Sequence, residues 1–267
     1  MDSVKKLRAI RPNVGLRLKY RRSLMALIDE MDASVLYWIG AEYRASPPAL
    51  AMDATPSQRM LAKFRALAKK WQRKFDEAAP RIADAYVKGN YYATSSAMKS
   101  ALRDAGISIK FKLDRAMKDA LNASVAENVA LIKSIPQRYL AQTEGIVTRA
   151  YASGRDLETM VKEIRKLYPK AAGSAELIAQ DQSNKLNSTV ENARRLELGI
   201  QKAIWMHSGG GKHPRKEHQK ASGRVYNIRE GCLIKDERTG QLEYIQPGQK
   251  IRCRCVSRSV LPGVRSA

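Results

Sequence analysis

Aromatic side chains make up 6% of this 267-residue chain, cysteine occurs three times and histidine three times. Three cysteines are an odd number and too few for a disulfide framework, which places the chain in a reducing compartment at synthesis, its thiols free or on a metal. No uncharged apolar run of about eighteen residues occurs, so the sequence offers no membrane-spanning helix and no membrane partner is expected. The opening MDSVKKLRAIRPN has neither an apolar core nor a small-residue cleavage site, so secretion by the ordinary route is not expected either. Acidic residues are also short, 26 against 49 basic ones. Such sparse acids argue against a hydrolase built on paired carboxylates.

What the chain does have is apolar content, 44%, enough for a sizeable core. Ala, Leu, Lys, Arg and Glu dominate, as expected where helices do most of the packing. The formal net charge is +23. An excess of that size implies a polyanionic neighbour such as nucleic acid, an acidic membrane surface or an acidic protein. The charge is spread along the chain, +9 over residues 201–267 and +14 over residues 1–200, which speaks against one discrete DNA-reading motif. Its densest stretch is the opening, where Lys5, Lys6, Arg8, Arg11, Arg17, Lys19, Arg21 and Arg22 face a single acid, Asp2.

The pattern predicts an α+β protein: a mainly helical N-terminal region, residues 1–172, a small β-rich C-terminal module, residues 173–262, and a short tail, residues 263–267. Leu24, Ile28, Met31, Val35 and Trp38 step by fours and threes along one face of a long helix, either a core surface or a docking surface for another chain. After a proline-rich interruption, Thr55-Pro56-Ser57-Gln58 reads as a helix start with a capping box. That helix carries Met60, Phe64, Leu67, Trp71 and Phe75, with a kink or break expected at Pro80. Residues 106–114, GISIKFKLD, alternate as a half-buried strand would. Helices are predicted at 114–133, 136–152, 156–168 and 173–199, punctuated by Pro136, Gly154, Pro169 and Gly199. Strands are then predicted near 203–206, 223–228, 241–245 and 250–257.

Two short stretches carry the chemistry. HPRKEHQKASGRVY holds His213 and His218, and KIRCRCVS holds Cys253 and Cys255. On a strand the two cysteines would point to one face, with Arg254 on the other. Both sulfurs could then meet one ion, with His218 and His213 as further ligands of a structural zinc. Buried packing and hydrogen bonding is the competing use, since free cysteine is a common core residue, and catalysis a third. His213, Glu217 and His218 in a basic chain also admit a metal-dependent nuclease or DNA-processing enzyme of packaging. No signature motif surrounds any cysteine as a nucleophile.

The ordered set Asp181-Gln182, Asn187, Trp205, Arg215 with His218, Gly223, Pro247-Gly248 and Cys253-Arg254-Cys255 resembles the phage Mu protein F-like family of minor head proteins, also called head morphogenesis proteins. The likeness covers residues 173–262. It implies a structural virion protein of a tailed bacteriophage, made in the host bacterial cytoplasm and housed inside the head near the portal. The implied partners are the portal protein, the major capsid or scaffold protein, and packaged double-stranded DNA held through phosphates without sequence reading. It implies no reaction, no catalytic residue and no cofactor beyond the candidate zinc. The basic opening supplies the candidate DNA or portal contacts. In one departure, Gly209-Gly210-Gly211-Lys212 stands where such proteins often carry an acidic loop.

Overall fold

The computed structural model describes residues 4–45, 47, 54–210 and 214–265. In chain order the elements are β1 (Val4–Lys6), α1 (Val14–Ala45), α2 (Ala54–Asp104), α3 (Arg115–Ala152), α4 (Leu157–Arg165), α5 (Tyr168–Glu197), β2 (Lys202–Met206), α6 (Lys216–Lys220), β3 (Val225–Asn227), β4 (Cys232–Lys235), β5 (Leu242–Ile245) and β6 (Val256–Arg265). The class is α+β, with long helices first and antiparallel strands toward the C-terminus, as the sequence predicts.

Helix α1 starts after Pro12, where the Asn13 side-chain oxygen accepts the Leu16 N–H at 3.0 Å and satisfies a donor the first turn would otherwise leave open. Its buried stripe is Tyr20, Leu24, Ile28, Met31, Val35 and Ile39. Trp38, expected in that stripe, is 56% exposed; a step of four from Val35 keeps the face, and it lands on Ile39.

Helix α2 passes through Pro80 without the expected break, and Phe75, Ala79, Ala83 and Tyr86 stay buried on both sides of the proline. The side chains of Thr55, Pro56 and Ser57 lie outside the described residues, and with them the expected capping box. Helix α3 likewise runs through Pro136, joining two helices the sequence separates. Proline removes one backbone bond from a helix, and apolar burial on the same face outweighs that loss. Helix α4 is capped by Asp156, whose carboxylate accepts the Thr159 N–H at 2.9 Å. In α5, Pro169 sits in the first turn, where its missing N–H costs nothing.

Residues 107–114 form no strand. Their alternation is nonetheless expressed: Ile107, Ile109 and Phe111 are partly buried against the core while Ile's polar neighbours face outward. The period was legible, but no second strand offers a ladder there.

Contacts divide the chain into two compact units, one of residues 1–18, 85–124 and 179–267, the other of residues 19–84 and 125–178. The second unit is helical. It buries Leu24, Ile28, Met31, Phe64, Phe75 and Ile132 among others, each worth about 1.5–3 kcal/mol. Within it Tyr20 Oη donates to Asn128 Oδ1 at 2.8 Å and Trp71 Nε1 to Ser34 Oγ at 3.0 Å.

The first unit holds the strands. A four-stranded antiparallel sheet runs in the order β1-β6-β2-β3, and β4 pairs with β5 as a separate hairpin. On β2, Ala203 and Trp205 point inward and join Leu7, Ile10, Met98, Leu102, Tyr226 and Ile234 in one apolar cluster. Helix α5 stops at Gly199, whose φ of +71° lets the Ile200 N–H reach back to the Arg195 carbonyl at 2.9 Å. The chain then enters β2 directly.

Candidate metal centre

Three side chains converge beneath Trp205. His218 Nδ1 lies 3.5 Å from Cys253 Sγ and 3.8 Å from Cys255 Sγ, and the three donor atoms all fall within 4.8 Å of one another. All three residues are at most 5% exposed. The Trp205 ring meets the imidazole edge-on, centroids 5.2 Å apart at 83°, and so fixes its orientation.

The short helix α6 presents His218. Its first turn is tied down by Glu237, whose carboxylate accepts the Glu217 N–H at 3.0 Å. The turn after it is closed by Gly223, whose N–H bonds to the Trp205 carbonyl at 2.8 Å.

The cysteines do not sit on a strand, contrary to the expectation for residues 250–257. Lys250–Arg252 form a turn, with Arg252 at a φ of +61°, and β6 begins only at Val256. The turn bends the chain so that Cys253 and Cys255 are buried and Arg254 between them is exposed. Arg254 Nη1 reaches the Gly210 carbonyl at 3.3 Å.

Helix α5 holds this segment in place. Asp181 Oδ1 accepts the Arg252 N–H at 2.7 Å, and Asn184 Nδ2 donates to the Cys253 carbonyl at 2.8 Å. Further along, Asn187 Nδ2 donates to the Ile10 carbonyl at 3.2 Å while its oxygen accepts from Thr94 Oγ1 at 3.1 Å. Arg215 Nη2 donates to the Ile251 carbonyl at 3.1 Å from the other side. Gln182 is buried on the same helix, and Pro247 and Gly248 are buried where the loop passes over α5.

The sequence reading missed Asn184, Glu191, Arg194 and Arg195. Arg195 is fully buried and donates to Ser259 Oγ at 2.9 Å, Ser257 Oγ at 2.8 Å, Asn192 Oδ1 at 2.9 Å and the Glu191 carboxylate. Arg194, also buried, binds Tyr91 Oη, the Lys112 carbonyl and Glu197, each at 2.6 Å, and lies 4.5 Å from the Phe111 ring centre. The i,i+4 spacing of Glu191 and Arg195 was the available signal, though it more often marks an exposed pair.

Electrostatics bind the two thiols together. The Cys253 thiol is held well below the usual range by its hydrogen bond with Cys255, against the opposing effect of burial, with His218 and the backbone N–H groups of Cys255 and Gly248 helping. Cys255 is pushed up by that same bond and by burial. Burial also raises Asp181, against the Arg252 N–H.

His213 lies outside the described residues. Glu217 belongs to an ion pair with Lys220 at 2.7 Å and is not among the converging donors. Beside His218 opens a 350 Å³ cleft lined also by Arg215, Lys235, Asp236, Glu237 and Lys250. Its acids are engaged: Lys250 binds Asp236 at 3.4 Å and Glu243 at 2.5 Å, and Asp236 also accepts the Arg238 and Thr239 N–H groups of its turn. These bonds hold the Asp236 carboxyl down at about 2, chiefly through the two backbone donors. A general base aimed at a metal-bound phosphate is not formed by these side chains.

In the basic opening, Lys6, Arg11, Lys19 and Arg22 are exposed and make no ion pair among the described residues. Lys5 instead donates to the Ala105 carbonyl at 2.8 Å, Arg8 pairs with Asp104 at 3.3 Å, Arg17 donates to Gln180, and Arg21 pairs with Glu176 at 2.5 Å.

Residues 141–258 match the family model described as Phage Mu protein F like protein. The match begins some thirty residues before the stretch whose motifs carry the resemblance and takes in Asp181, His218, Cys253 and Cys255. An uncharacterized protein of Haemophilus influenzae is 33% identical over 146 residues, 54% of this chain and 30% of that protein. The chain thus spans less than a third of that relative's length. No solved structure matches the chain.

Proposed function

From the match of residues 141–258 to the phage Mu protein F-like family model, we propose that this protein is a structural minor head protein of a tailed bacteriophage, acting in head morphogenesis at the portal. The family match carries the reading, because it encloses the whole clasp of α5, α6 and the two cysteines. In this role the protein resides inside the head near the portal after synthesis in the host cytoplasm, and it contacts the portal and the major capsid or scaffold protein. Its net charge of +23 suits a neighbour of packaged DNA, where neutralising phosphates needs no base reading. A part in packaging or ejection follows from the same placement.

A non-enzymatic role is supported by the burial of the imidazole and both thiols and by the paired carboxylates of the adjoining cleft. No described helix is long and apolar enough to cross a membrane. The reading is tested by purifying empty heads: the protein should co-purify with the portal, and its clean absence from heads would overturn the assignment. Plasmid cleavage with Mg²⁺, Mn²⁺ or Zn²⁺ that is lost in His218→Ala would instead establish the nuclease.

A further inference from the structure

We propose that His218 Nδ1, Cys253 Sγ and Cys255 Sγ bind one zinc ion, which fastens the chain before β6 to α6. The inference is independent of any role in a phage head and rests on four observations about these side chains.

The first is spacing. Zn–S bonds of about 2.3 Å and Zn–N bonds of about 2.0–2.1 Å set neighbouring sulfur and nitrogen vertices of a tetrahedron about 3.5 Å apart. The two sulfur–nitrogen separations are 3.5 and 3.8 Å. The third separation, between the sulfurs, is at most 4.8 Å, and closing the thiols on the ion would complete the fit.

The second is the donor set. Two thiolates and an imidazole are soft to borderline ligands, which favour zinc over the oxygen-seeking Mg²⁺, Ca²⁺ and Mn²⁺. A Zn²⁺ ion also balances two thiolate charges in a place where burial would otherwise penalise them.

The third is burial. His218, Cys253 and Cys255 are 5%, 3% and 5% exposed, so an ion among them would be screened from competing solvent ligands.

The fourth is rigidity. Asp181, Asn184 and Arg215 each bond to the backbone between Ile251 and Cys253, and Trp205 abuts the imidazole. The ligands are therefore positioned without the ion having to order a loop.

The test is zinc content of the full chain, purified without a metal-affinity tag from zinc-supplemented cells, by elemental analysis and native mass spectrometry. About one zinc per chain is expected, falling at least about tenfold in His218→Ala and Cys253→Ser. Should those variants fail to fold, the wild-type chain is stripped and loaded with Co²⁺, and thiolate-to-cobalt absorption supports the site. Folded wild-type protein that takes up neither metal overturns the proposal. So does a mass two hydrogens light, which would report a Cys253–Cys255 disulfide in place of two ligands.

Discussion

Asn184 holds the Cys253 backbone: its Nδ2 donates to the Cys253 carbonyl at 2.8 Å across 69 residues of sequence. The bond is buried, and it is flanked one turn earlier on α5 by the bond from the Arg252 N–H to Asp181. The helix thus accepts one backbone group of the cysteine loop and donates to the next. A loop gripped in both senses cannot slide along the helix without breaking both bonds. The position of the two sulfurs is consequently set from α5.

Asn184→Ala should therefore destabilise the protein by about 1–3 kcal/mol, because it leaves a buried carbonyl without a donor. Urea unfolding followed by circular dichroism measures this. An unchanged midpoint would mean that the Cys253 carbonyl finds water, and that α5 does not position the loop.

Gly248 and Gly223 make a controlled pair. Both have a left-handed backbone, with φ of +86° and +87°, and a side chain at either costs about 1–2 kcal/mol in that region. They differ in what a Cβ would meet. At Gly248 it would stand 2.9 Å from the Asn184 carbonyl oxygen, a helix backbone atom that cannot give way, whereas at Gly223 nothing lies within 4 Å. Gly248→Ala should lower the denaturant midpoint clearly more than Gly223→Ala. Equal shifts would show that the loop does not need its close approach to α5.

Much of the site was legible because chemistry-bearing residues were few. With three histidines and three cysteines in the chain, scarcity together with the paired spacing points to His213, His218, Cys253 and Cys255, and the structure brings His218 to both of these sulfurs. The local geometry was not legible. Alternation around Cys253-Arg254-Cys255 suggests a strand, but alternating burial also arises from an extended segment after a turn, and only the turn at Arg252 distinguishes them. The same ambiguity lies behind the strand expected at residues 106–114.

Long-range partners were the other loss. β1 pairs with β6 across some 250 residues, and nothing in VKK announces a strand. Buried Arg194 and Arg195 resemble the exposed basic residues found throughout the chain, since burial of a guanidinium depends on acceptors such as Ser257 and Ser259 that arrive from far along the sequence. Of the kink or break expected at Pro80 the break is absent, and the helix boundary expected at Pro136 is absent too. Local propensity predicts a break, and tertiary packing on both sides of each proline carries the helix on.

Duplex DNA binding should be indifferent to sequence and should weaken linearly with the logarithm of salt concentration. Lys6, Arg11, Lys19 and Arg22 are the exposed candidates. Each phosphate contact removed by Arg11→Gln or Arg22→Gln should reduce the slope by about 0.9. Fluorescence anisotropy across a salt series reads it directly, and a salt-independent affinity would remove the phosphate argument.

The buried pair of Glu191 and Arg195 should give the protein a pH dependence of unusual sign for an acid. Burial pushes the Glu191 carboxyl up to about 7 from 4.5, outweighing the opposing pull of Arg195. The folded chain then holds this proton more tightly than the unfolded chain does, so the contribution to stability is complete below pH 4.5 and is lost as pH rises through about 7. Beside the carboxyl, Arg195 also bonds to Asn192, Ser257 and Ser259. Asp181 is shifted in the same direction by burial, so the comparison must isolate Glu191. Glu191→Gln, which carries no titrating group, should flatten the fall in melting temperature between pH 5 and pH 8 relative to wild type. Identical pH profiles for the two proteins would show that Glu191 stays ionised with Arg195 across the whole range, and that the guanidinium rather than burial governs it.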